Sequence, residues 1–113
     1  MLMGKNATVT VCHTKTVNTA EICRNADIIV SAAGVLNSLT KEYVRPGQVV
    51  IDVSINWDAG KPNAKGGLGG IAGDAKFDEV EPIVDAITPV PGGVGSVTTS
   101  VLMKHVVEAA EKV

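Results

Sequence analysis

Two short β-branched runs limit most sharply what this chain can fold into: Ile28-Ile29-Val30-Ser31-Ala32 and Gln48-Val49-Val50-Ile51-Asp52-Val53. Such side chains are stiff at χ1 and suit a pleated strand better than a helix. The first run is almost continuously apolar, the pattern of a strand covered on both faces in a parallel sheet. Ala7-Thr8-Val9-Thr10-Val11-Cys12 also reads as a strand, and Val84-Asp85-Ala86-Ile87-Thr88 as a short fourth one.

The segments between these runs supply the crossovers. Asn18-Thr19-Ala20-Glu21 has capping-box spacing and predicts a short helix from Thr19 to Arg24. Thr40 to Val44 makes at most one helical turn, stopped by Arg45-Pro46-Gly47. Ser54 to Gly73 is polar and glycine-rich, and its tract Lys65-Gly66-Gly67-Leu68-Gly69-Gly70 is either mobile or a hairpin tip. Asp74 to Val80 predicts a short helix. Ser96 is a good N-cap for a last helix, in which Val97, Val101, Leu102, His105, Val106, Ala109 and Val113 share one core-facing side and Glu108 and Lys112 pair at i, i+4. Strands alternating with helices give an α/β fold with a parallel sheet and right-handed crossovers.

Composition narrows the class. A chain of 113 residues makes one domain, and 45% hydrophobic with 3% aromatic means a core of Val, Ile, Leu and Ala. A net charge of −2 gives no electrostatic case for nucleic acid or an anionic membrane. The apolar runs are too short to span a bilayer, and no basic segment precedes an apolar one as in a signal peptide. Cys12 and Cys23 lack zinc-ligand spacing, so buried, reduced thiols in a cytoplasmic protein are expected, with no metal site.

The most unusual stretch is Ile87-Thr88-Pro89-Val90-Pro91-Gly92-Gly93-Val94-Gly95. The prolines stiffen an extended entry, and the glycines expose bare backbone immediately before a helix. Such a segment lets a ligand approach closely, with helix amides favouring an anionic or polar group; it is also the composition of an ordinary strand-to-helix turn. Val90-Pro91 is a plausible cis bond.

Ligands of open α/β sheets bind at the carboxyl ends of the strands, and the loops His13–Thr16, Ala33–Leu36, Ser54–Trp57 and Pro89–Gly95 all fall there. After the first strand an NAD-selecting fold places an acidic residue; here stand His13, Thr14, Lys15 and Thr16, which suit the 2′-phosphate of NADP. Equally, Thr16 caps the next helix and Lys15 is solvated. Asp52 either binds a polar ligand group or holds the following loop through backbone hydrogen bonds, and Trp57 either stacks in the open or packs its loop. Neither histidine has a partner at a telling spacing, so no nucleophile–base pair and no catalytic residue is assigned.

These segments together resemble the C-terminal dinucleotide-binding domain of the bifunctional methylenetetrahydrofolate dehydrogenase/cyclohydrolase family. The likeness is carried in order by Thr8 to Thr16, Val49 to Asn56, Gly73-Asp74 and Ile87 to Gly95, with Asp27 to Val30 and Val44 to Gly47 in support. It implies oxidation of 5,10-methylenetetrahydrofolate with NADP (NAD being possible), then hydrolysis of the methenyl product. It places Thr14 and Lys15 near the adenosine phosphate, Ala33, Gly34, Ile55 and Thr98 against the cofactor, and Pro91, Gly92, Gly93, Val94 and Gly95 at the folate–nicotinamide junction. The sequence departs from the family at Ser54, where glycine is usual, at Ser96-Val97-Thr98, where Pro-Met-Thr is usual, and near Leu36, where a proline is usual.

The resemblance also implies that the family's first strand–helix unit and its catalytic domain would precede Met1, with Met1-Leu2-Met3-Gly4 closing a helix at Gly4. The expected fold is therefore an incomplete doubly wound, Rossmann-like parallel sheet over residues 1–113, inactive alone. Its bare edge would be covered by a homo-oligomer or a complementing chain. The rival readings are a non-catalytic binding or assembly module and another small Rossmann dehydrogenase domain.

Overall fold

Val49–Asp52 (β2) is the middle strand of a three-stranded parallel sheet in the computed structural model, which describes residues 3–62 and 65–111. Ile28–Ser31 (β1) lies on one side, in register Ile28 to Val49 through Ser31 to Asp52. Ala86–Ile87 (β5) lies on the other, Val49 facing Ala86 and Val50 facing Ile87. The helix Thr19–Arg24 (α1) precedes β1, and a single 3-10 turn, Lys41–Tyr43, precedes β2. After β2, Asn56–Pro62 (β3) and Leu68–Ala72 (β4) pair as an antiparallel hairpin. Phe77–Val80 (α2) leads to β5, and Val94–Glu111 (α3) ends the described chain.

The core is aliphatic, as the composition requires: Ile29, Leu39, Val44, Val50, Val80 and Val84 are buried together. One polar side chain is built into it. Gln48 is fully buried; its Nε2 donates to the carbonyls of Cys23 and Ala26, each at 2.8 Å, and its Oε1 accepts from Arg45 N–H at 2.7 Å. It thereby pins the end of α1 to the start of β2. The main-chain carbonyl of Gln48 also accepts from Asp85 N–H at 2.9 Å, aligning β5.

Several local expectations change. Residues 7–11 are exposed, Cys12 is half-buried, and 7–12 form no strand, because a strand needs a ladder partner and none lies beside them among the described residues. Among the described residues, β1 is covered well on one face: Ile29 is buried, Ile28 and Val30 are 58% and 52% exposed, and Val49 and Ile51 beside them on β2 are half-buried. α1 has the expected bounds without its capping box, since Asn18 is left-handed (φ 58°) and makes no side-chain cap. The left-handed stop after the first turn falls at Asn6 (φ 65°), not Gly4; Met1 and Leu2 lie outside the described residues.

The glycine-rich tract is a hairpin, with Leu68 to Gly70 inside β4 itself rather than at its tip. Asp74 stands before α2, not in it. α3 begins at Val94, two residues ahead of the expected cap at Ser96. Its intended core face, His105 included, is exposed, and Glu108 pairs with Lys104 at 3.8 Å; Lys112 and Val113 lie outside the described residues. The radius of gyration, 16.2 Å against about 13 Å for a compact domain of this length, reflects that unpacked helix. No helix among the described residues is long and apolar enough to cross a membrane.

Candidate functional site

The carboxyl ends of β1 and β2 converge on one buried side chain, Asp74. Its Oδ2 accepts hydrogen bonds from Ala33 N–H (2.7 Å), Gly34 N–H (3.3 Å), Ser31 Oγ (3.0 Å) and Ser54 Oγ (2.8 Å). Its Oδ1 accepts from Val35 N–H (3.0 Å) and Asn56 Nδ2 (3.1 Å). Burial pushes the carboxyl up, but the hydrogen bonds from Asn56, Ser54, Ser31 and Ala33 outweigh it and hold Asp74 below the usual carboxylate range. The departure at Ser54 is absorbed here, because its hydroxyl donates to Asp74 and accepts from Gly34 N–H at 3.2 Å.

A second buried carboxylate, Asp52, holds the loops that follow β2 and β4. It accepts from Ser54 N–H at 3.2 Å and Ala75 N–H at 2.8 Å, which supports both loops, and it also lines the cleft described next. Thr88 Oγ1 accepts from Asp52 N–H at 2.8 Å, tying in the end of β5.

Beside this support lies a cleft of about 680 Å³, bounded by Ile55 and Ile71 on one side and by Pro91 to Gly95 and Thr98 on the other. The Val90-Pro91 bond is cis, as the sequence suggests. Gly93 is obligatory: a Cβ there would overlap the Pro89 carbonyl and come within 3.1 Å of Thr88 Cβ. At Gly92 and Gly95 a Cβ would meet only open space, so their backbone is open to a ligand. The first turn of α3 opens on the same cleft, and Thr98 Oγ1 donates back to the Val94 carbonyl at 3.0 Å. Lys61 Nζ bridges the Ile71 carbonyl (2.5 Å) and the Val90 carbonyl (3.4 Å), joining the hairpin to the proline loop. Trp57, 69% exposed, covers Gly69, where a Cβ would lie 2.5 Å from its Cζ2.

Matching over residues 1–113 is the model of the tetrahydrofolate dehydrogenase/cyclohydrolase NAD(P)-binding domain. The chain belongs to this family. Among its relatives, the bifunctional protein FolD of Carboxydothermus hydrogenoformans is 56% identical over 111 residues, covering 98% of this chain and 37% of that protein. That of Thermosipho africanus is 55% identical over 108 residues, covering 96% and 36%. The crystal structure of the bifunctional 5,10-methylenetetrahydrofolate dehydrogenase/cyclohydrolase from Thermoplasma acidophilum superposes with a TM-score of 0.83 at 43% identity, over 98% of this chain and 37% of that one. The Trypanosoma brucei enzyme, complexed with NADP cofactor and inhibitor, gives 0.79 at 42% identity, over 91% and 35%. The chain thus spans little more than a third of the length of these relatives.

For a domain of this family, the structure divides the sequence-derived site residues into three groups. Ile55, Thr98 and Pro91 to Gly95 line the one cleft. Ala33 and Gly34 lie outside its lining, bound through their amides to Asp74. Thr14 and Lys15 form an exposed turn closed by Thr16 N–H to the His13 carbonyl at 2.9 Å. There Thr16 Oγ1 accepts from His13 N–H at 2.8 Å rather than capping α1, and Lys15 N–H donates to His13 Nδ1 at 3.1 Å. Sequence reasoning missed Gln48, Lys61 and the role of Asp74. For Asp74 the Gly73-Asp74 pair was visible, but nothing local indicated burial.

Proposed function

We propose that this chain is the cofactor-binding portion of an NADP-dependent 5,10-methylenetetrahydrofolate dehydrogenase and 5,10-methenyltetrahydrofolate cyclohydrolase, with residues 1–113 as one partial domain. The cleft carries the reading: it joins Ile55 and Thr98 to the Pro91–Gly95 wall, at the carboxyl ends of the strands, in a chain matched throughout by an NAD(P)-binding family. Its volume suits part of a dinucleotide, and Gly92 and Gly95 leave room for a flat ring against the backbone. Ile55 and Thr98 would flank the nicotinamide, and Pro91 to Gly95 would face the folate. Thr14 and Lys15 offer a hydroxyl and a cation to the adenosine phosphate. The bound nicotinamide supplies the hydride acceptor.

Hydride transfer requires the two reacting carbons in near-attack geometry. The carboxylate that lines the cleft, Asp52, already accepts from the amides of Ser54 and Ala75, so the chain alone is proposed to bind without turnover. The outer edge of β1, the end strand of the sheet, is the proposed docking edge for a second copy or a complementing chain. A cytoplasmic setting goes with this reading. Cys12 and Cys23 are free thiols, and burial, then Cys12, push the Cys23 thiol up against the opposing effect of Arg24.

Calorimetric titration with NADP+, NAD+ and tetrahydrofolate tests the proposal. NADP+ binding, tighter than NAD+, is expected; absence of both overturns it and favours a non-catalytic assembly module. Turnover of methylenetetrahydrofolate by the purified chain would overturn the binding-without-turnover part. Light scattering on the eluting protein checks the edge, a stable monomer counting against it.

A further inference from the structure

The six hydrogen bonds to Asp74 come from the end of β1, the loops that follow β1 and β2, and the first residue of β3. Three are from consecutive amides, Ala33, Gly34 and Val35. Consecutive N–H groups converging on one point form an anion-binding nest, the device by which loops at such positions hold phosphate. Here the fold fills that nest from within. The amides of Ala33 to Val35 are directed at a buried carboxylate of the chain itself and are not available to an external anion.

We propose that Asp74 is the positioning residue of the segments that follow β1 and β2, an internal anion that sets Ala33–Val35 and Ser54–Asn56 with their donors turned inward. The consequence for ligand chemistry rests on the cofactor-binding reading above. With its amides committed, the Ala33–Val35 loop, which lies outside the cleft lining, has only carbonyl oxygens and Cα hydrogens to offer a ligand that extends past the cleft. It therefore selects a hydrogen-bond donor, a ribose hydroxyl or a carboxamide N–H, and not a phosphate. Ile55, held between Ser54 and Asn56, reaches the cleft because both neighbours are anchored on the same carboxylate.

Asp74→Ala tests this, because it leaves a hole lined by six donors that a small carboxylate can refill. In that variant the melting midpoint should fall, and formate should raise it saturably. Chloride at equal ionic strength should not, and the wild type should show no formate response. Amide exchange at Ala33, Gly34 and Val35 should speed at least about tenfold in the variant and slow again with formate. NADP+ affinity should fall about tenfold and recover with formate. Gln48→Ala, which weakens the fold at the opposite end of β2, should lower the midpoint with cofactor affinity unchanged. Where Asp74→Ala fails to fold, Asp74→Asn retains the shape without the charge and should still lose cofactor affinity. Faster exchange with no formate rescue, or wild-type NADP+ affinity in both Asp74 variants, overturns the proposal. A wild-type chain that binds no cofactor overturns the cofactor reading instead, and the formate response still decides the role of Asp74.

Discussion

The Asp52 carboxylate occupies the space that a side chain on residue 73 would need: a Cβ built on Gly73 stands 2.5 Å from Asp52 Cγ. The carboxylate cannot swing aside cheaply, because it accepts from the N–H groups of Ser54 and Ala75. Gly73 therefore fixes how closely the loop carrying Asp74 approaches the end of β2, and with it the whole support of the cleft.

Gly73→Ala is expected to lower stability by about 2 kcal/mol, the cost of forcing extra volume into a packed site. In an Asp52→Ala background the same change should cost at least about 1 kcal/mol less, since contacting residues couple. Urea denaturation of the four proteins in the cycle measures both; equal costs in the two backgrounds would remove the contact from the explanation.

Gln48→Leu keeps the volume and removes the pin. It orphans Arg45 N–H and takes one donor each from the carbonyls of Cys23 and Ala26, which keep Ala26 N–H and the Arg45 guanidinium, so a loss of about 1 to 3 kcal/mol is expected. A denaturation midpoint within error of wild type would show that water replaces all of these bonds.

The acid side of the stability profile should carry the signature of Asp74. Its folded carboxyl lies below the value of about 3.9 for an unfolded chain, so its stabilisation is complete above that value and is lost as pH falls through the lower, folded one. Unfolding free energy should therefore fall as pH is lowered from about 5 toward 3, and less steeply in Asp74→Asn. Equal slopes for the two proteins would assign the acid loss to other carboxylates.

Lys15 stands on an exposed turn with its backbone N–H held by His13, leaving its ammonium to act on a ligand by charge. Lys15→Ala should weaken NADP+ binding about tenfold, or about 1.4 kcal/mol, with NAD+ binding unchanged. An equal loss for both cofactors in calorimetry would place the lysine away from the 2′-phosphate.

The sequence by itself determined the elements whose cause is local. β-branched runs made β1 and β2, α1 runs from Thr19 to Arg24 as its pattern suggests, and the order of motifs through Pro89 to Gly95 identified the family. It also drew Ile55 and the Pro91–Gly95 wall together, because loops at the carboxyl ends of parallel strands share one side of the sheet. What it did not determine depends on partners distant in the chain. Residues 7–12 have the composition of a strand and form none, because ladder hydrogen bonds require a neighbour that local propensity does not provide. α3 has an apolar pattern without a surface beneath it, since periodicity records a face and not its partner. Only the tertiary structure made Asp74 the hub, by bringing it against Ser31 and Ala33, more than forty residues away, where a polar side chain that looks ordinary in sequence becomes the shared acceptor of two loops.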